Sequence, residues 1–184
     1  KINRSYRDEN MDRALKHAKK LVELHGDSYD SYLWLGQVQS DRNEIDDAIR
    51  SLKIAIELNP NSYEAYDKLI GHQIPMGDRA MLPQERRDTE LGSKYADELI
   101  RIRPDAGFPY HWKANIFRQL GEFEKAKPFY EQSIEKRKGK AAEGNAYNVS
   151  AHNYMFSGDF KTARERYKTA ITLSKRDWSA FQYE

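Results

Sequence analysis

The chain of 184 residues carries 31 Lys and Arg against 29 Asp and Glu, interleaved along its length, so it offers no basic footprint for nucleic acid or anionic lipid. A third of its residues are charged and its mean hydropathy is −0.95, yet twelve Tyr, seven Phe and three Trp give it the aromatic content that disordered chains lack. The absence of cysteine removes disulfide frameworks, thiol nucleophiles and zinc fingers together.

Apolar stretches such as Ile54-Ala55-Ile56 fall far short of the ~20 residues that span a bilayer, and no signal-peptide core follows Lys1. A soluble segment with no membrane contact is expected, placed in the cytoplasm, with the periplasm open as well. A chain that begins without Met and stops at Gln182-Tyr183-Glu184, inside what reads as a new helix, is expected to be cut from something longer.

Taken in chain order, the elements repeat. Ala14, Ala18, Leu21 and Gly26 mark a half-repeat over about 6–26. In the first whole unit, about 29–62, Gly36 is followed by Ala48, Leu52 and Ala55 at offsets of 12, 16 and 19, and Pro60 closes the unit at 24. The second, about 63–106, keeps the second-half spacing in Gly92, Ala96, Leu99 and Pro104. It is stretched by ten residues around 74–83, where Pro75 ends or kinks one helix and Pro83 suits the first turn of the next. Met76, Met81 and Leu82 in that stretch are read as folding back on the scaffold rather than as partner contacts.

The third unit, about 107–140, repeats the offsets from Ala114 to Ala126, Tyr130 and Ser133, and the fourth, about 144–177, from Ala151 to Ala163, Tyr167 and Ala170. Between them three extra residues lengthen the run Lys136-Arg137-Lys138-Gly139-Lys140, whose cations are expected to complement a helix C-terminus. Tyr32, Tyr66, Tyr110 and Tyr147 precede the first-helix small or aliphatic positions by four, and Phe181 lies 34 beyond the last, which predicts the start of a further helix over 178–184.

Asn43-Glu44-Ile45, Gly121-Glu122-Phe123 and Gly158-Asp159-Phe160 separate the halves of three units with residues that tolerate positive φ. Within each half the apolar residues fall at helical spacing, as in Ile45, Ala48, Ile49, Leu52, Ala55 and Ile56. Each unit therefore reads as a pair of antiparallel helices that must hide its apolar stripe against the next pair.

This pattern resembles the tetratricopeptide repeat, a 34-residue helix–turn–helix unit with small residues where paired helices cross. The resemblance covers nearly the whole chain and implies an all-α fold, a right-handed solenoid of antiparallel helix pairs forming a single repeat domain over 1–184. Gly36, Ala48, Ala55, Ala114, Ala126, Ala151, Ala163 and Ala170 fit the crossing positions.

In that family the first helix of each pair lines a concave groove that receives partner peptides or helices. Carried onto this register, the groove presents Leu33, Trp34, Gln37 and Asp41, then Glu64, Asp67 and Lys68. The third unit presents Phe108, His111, Trp112, Asn115 and Gln119, and the fourth Asn145, Asn148, Val149, His152 and Phe156. Aromatic anchors supply area while amides pair with an extended backbone, so Trp34, Gln37, Lys68, Phe108, His111, Trp112, Asn115, Asn148 and His152 are the candidate partner contacts. For Trp34 and Trp112 the alternative is packing between neighbouring helices. A family subset that clamps chaperone tails with Lys, Asn and Arg is ruled out, because Leu33, Gln37, Lys68, Phe108 and Trp112 stand at those positions.

No catalytic constellation is present: there is no phosphate loop, nucleophile elbow or His-Glu-x-x-His pair, and no cofactor is expected. His17, His25, His72, His111 and His152 show no helical ligand spacing, so no metal is expected either. The sequons at Asn3 and Asn148 are read as coincidences. The leading expectation is a protein-binding scaffold. The alternatives are self-association through the C-terminal end at Trp178 and Phe181, where a polar cap is missing, or a segment that regulates or recruits substrate for a larger enzyme.

Overall fold

The computed structural model describes residues 2–73 and 88–181, with side chains described over 9–73 and 88–174. The expected insertion at 74–83 lies outside the described residues. Within them the chain is all-α, with no strand. The helices are α1 (Ile2–Leu24), α2 (Tyr29–Asp41), α3 (Ile45–Leu58), α4 (Tyr63–Gln73), α5 (Thr89–Ile102), α6 (Gly107–Gln119), α7 (Phe123–Arg137), α8 (Glu143–Phe156) and α9 (Phe160–Phe181). They divide into two compact units, Lys1–Tyr95 and Ala96–Glu184.

In the first unit α2 pairs with α3, while α1 packs on α2 and α4 on α3. Residues at helical spacing make the contacts. Leu52, Ala55, Ala65 and Leu69 form one buried cluster, and Ala18, Leu35 and Val38 another. The crossing of α2 and α3 depends on Gly36, where an added Cβ would lie 2.8 Å from Leu52 Cγ. Tyr66 of α4 meets Tyr95 of α5, with ring centroids 5.7 Å apart.

In the second unit α6 pairs with α7 and α8 with α9, and α7 packs on α8. Ala114, Ala126 and Tyr130 are the centre of its apolar cluster, with Phe117, Phe129 and Val149 around them. All eight small residues assigned to crossings in the two units are buried.

The turns follow from residue chemistry. Asn43, Gly121 and Gly158 have φ of 64°, 76° and 83°, the left-handed region that ordinary L-residues avoid and that lets a helix end and reverse. Side chains hold the starts of α9, α5 and α4: the Thr162 amide donates to Asp159 Oδ1 at 3.0 Å, Leu91 N to Asp88 Oδ1 at 2.9 Å, and Ala65 N to Ser62 Oγ at 3.1 Å. At the end of α7 the Lys140 ammonium donates to the Lys136 carbonyl at 2.9 Å, the expected partner for an orphan C-terminal oxygen.

One boundary differs from expectation. No new helix begins at 178, because α9 runs unbroken from Phe160 to Phe181. The stretch Leu173-Ser174-Lys175-Arg176-Asp177-Trp178 holds neither Gly nor Pro, and the 34-residue register continued where no turn interrupts the helix. The expected self-association through Trp178 and Phe181 falls on side chains outside the described ones.

Candidate functional site

In the first unit the N-terminal turns of α2 and α4, with the end of α1, enclose a groove of about 620 Å³. Trp34 and Leu33 enter it from α2 and Leu21 from α1, giving an apolar wall. Asp30 and Gln37 on α2 and Glu64 and Lys68 on α4 supply polar groups, and His25 and Ser31 also line it. Trp34 is 48% exposed, so its indole is available to a ligand.

Gln37 is fixed by its own helix, its amide nitrogen donating to Asp41 Oδ2 at 2.9 Å and Oδ1 at 3.0 Å. That ties the amide nitrogen to its own helix and leaves the Gln37 carbonyl as a group that could accept from a partner. Beside the groove Tyr29 and Ser62 share a hydrogen bond of 2.7 Å. Burial raises the Tyr29 pKa, the bond to Ser62 opposes that, and the negative charges of Glu64 and Asp30 add to the rise.

Three expected contacts, Trp34, Gln37 and Lys68, are thus brought together. Leu21, His25 and Asp30 join them, none of which is among the partner contacts expected from the sequence. Asp30 carried a signal, since it and Glu64 occupy equivalent places in successive repeats.

The second unit disposes its candidates differently. His111, Trp112 and Asn115 are 3%, 6% and 0% exposed, so these three are packing residues and not open groove contacts. Phe108 stacks on His111 with centroids 5.7 Å apart, stands edge-on to Trp112 at 5.6 Å, and carries the Arg137 guanidinium over its face at 5.4 Å. Asn115 is the centre of a buried network. Its amide meets His111 Nε2 at 2.8 Å, and its carbonyl accepts from the Tyr130 hydroxyl at 2.9 Å and from Arg118 at 3.2 Å.

Burial first, then the positive charges of Arg137 and Arg118, push the His111 pKa from 6.5 down to about 3. The ring is therefore neutral at physiological pH, as burial beside two guanidinium charges requires. Asn148 is exposed on α8, its backbone carbonyl bonded to His152 Nδ1 at 2.8 Å, and His152 stands edge-on to Tyr167 at 5.4 Å.

Among the described residues no group of three His, Asp or Glu could hold a metal ion, and no helix is long and apolar enough to cross a membrane.

Two family models, each described as "Tetratricopeptide repeat", match residues 3–63 and residues 109–135 with 144–177. The chain belongs to the tetratricopeptide-repeat family. Its fold is shared with the crystal structure of MamA, 22% identical with a TM-score of 0.75 over 96% of this chain and 95% of that one. TTC0263, a thermophilic TPR protein of Thermus thermophilus, is 16% identical with a TM-score of 0.67, covering 96% and 89%. YrrB, described as a TPR protein with an unusual peptide-binding site, is 16% identical with a TM-score of 0.67, covering 94% and 82%. At these identities the likeness is one of fold. No curated protein matches the chain by sequence.

Proposed function

We propose that the chain is a non-catalytic interaction scaffold that receives a short segment of a partner protein in the groove of its first unit. The observation that carries this reading is Trp34, a large amphipathic side chain left half exposed in a groove of about 620 Å³ beside Leu21 and Leu33. A folded chain gains by burying such a ring, and a partner's apolar side chain would do so. Gln37 and Lys68 then supply an acceptor and a cation for the backbone of the segment. The peptide-binding description of YrrB, a protein of the same fold, is in keeping with this. Phe108, Asn148 and His152 are proposed as secondary contacts on the surface of the second unit.

The test is affinity capture with the wild type, purification of what is captured, and titration against Trp34→Ala. The variant is expected to lose binding at an unchanged melting temperature. Equal affinity would remove the groove from the account.

A further inference from the structure

Asp30 and Glu64 stand at equivalent places in successive repeats, in the first turns of α2 and α4, and both line the groove that holds Trp34. Both charges also reach the Tyr29 hydroxyl, whose pKa they raise after burial and the opposing bond to Ser62. Neither carboxylate, nor Lys68 one turn beyond Glu64, has an ion-pair partner among the described residues. Helix dipoles explain why acids are placed at the starts of α2 and α4. They do not explain why two acids, neither of them in an ion pair, open onto a groove with an apolar wall and the single lysine Lys68.

Asp30 and Trp34 are four residues apart on α2, which sets carboxylate and indole on one helix face. A cation held by the acids would lie beside the exposed ring and gain from its quadrupole as well as from the ion pairs. A guanidinium suits this better than an ammonium, being planar, able to stack on indole and able to pair with a carboxylate through two N–H groups. Lys68 disfavours a second cation further along α4.

Resting on the reading that this groove binds a partner segment, we propose that the segment presents an arginine beside a large aliphatic residue. The guanidinium sits between Trp34 and the carboxylates of Asp30 and Glu64, and the aliphatic side chain lies against Leu21 and Leu33.

The test is an array of short peptides, acetylated and amidated, in which one Leu is flanked at each position in turn by Arg, Lys, Gln or Glu. It is probed with the whole chain and followed by titration of the best Arg-Leu peptide. Arg peptides should bind best and Lys peptides less well, both weakening as salt rises. Combining Asp30→Asn with Glu64→Gln should cost the Arg peptide roughly tenfold in affinity, about the worth of one charge-assisted pair, with only the slight fall in melting temperature that two lost helix-dipole contacts bring. If the double variant melts early, Glu64→Gln alone carries the comparison. Gln or Glu peptides that bind as well as Arg peptides, and lose binding in Trp34→Ala, would overturn the arginine assignment while keeping the groove. No Trp34-dependent binding by any peptide would overturn both.

Discussion

Trp34 and Trp112 hold the same place in their repeats, two residues before Gly36 and Ala114, yet one is 48% exposed and the other 6%. The neighbour four residues earlier on the same helix face differs: Asp30 in the first unit, Phe108 in the second. Phe108 stands edge-on to Trp112, stacks on His111 and is itself covered by Arg137. A carboxylate cannot join such a cluster without losing its water, so Asp30 stays exposed in the groove and leaves Trp34 uncovered. Equivalent positions in a solenoid therefore share a direction on the helix without sharing an environment.

The largest expected effect breaks or confirms that comparison. Trp112→Ala should cost about 3–5 kcal/mol of stability, as for a buried aromatic side chain, whereas Trp34→Ala should stay within about 0.5 kcal/mol. Thermal and urea denaturation of the two variants would measure both, and equal losses would show that the two rings share one environment.

A smaller effect sharpens it. Leu33 holds in the first unit the place of His111 in the second, and only the histidine can take up a proton. The folded-state pKa of His111 is depressed to about 3, so the unfolded chain binds this proton first as the pH falls. The contribution of the neutral ring is fully present above the unfolded value of 6.5 and is lost progressively as the pH falls toward 3. Urea midpoints followed from about pH 7 to about pH 4 should fall less steeply in His111→Gln than in the wild type. Parallel slopes would place the acid sensitivity elsewhere.

Much of the scaffold was legible in the sequence because its constraints are local and repeat. Gly36 and the alanines recur where backbones approach, and Asn43, Gly121 and Gly158 stand where φ is positive. The end of α9 was misread because the register of tyrosines was extended past Ser174 with no turn residue to interrupt the helix. The candidate site was legible only in part. The resemblance to the tetratricopeptide repeat implied that Trp34, Gln37 and Lys68 share a groove, but it implied the same of His111, Trp112 and Asn115. Their burial comes from side chains that meet only in the fold, such as Tyr130 reaching Asn115 and Arg137 covering Phe108. The contrast between Asp30 and Phe108 was the available signal, and a pattern of small residues does not register it.

The central claim is that Trp34 is the open member of this pair and is the one a partner covers. Acrylamide quenching tests it directly in two single-tryptophan variants, one with Trp112→Phe and Trp178→Phe and one with Trp34→Phe and Trp178→Phe. Trp34 should be quenched steeply and become protected on adding the Arg-Leu peptide, while Trp112 is protected throughout. Equal quenching of the two rings, or a saturating peptide that protects Trp112 and not Trp34, would contradict it.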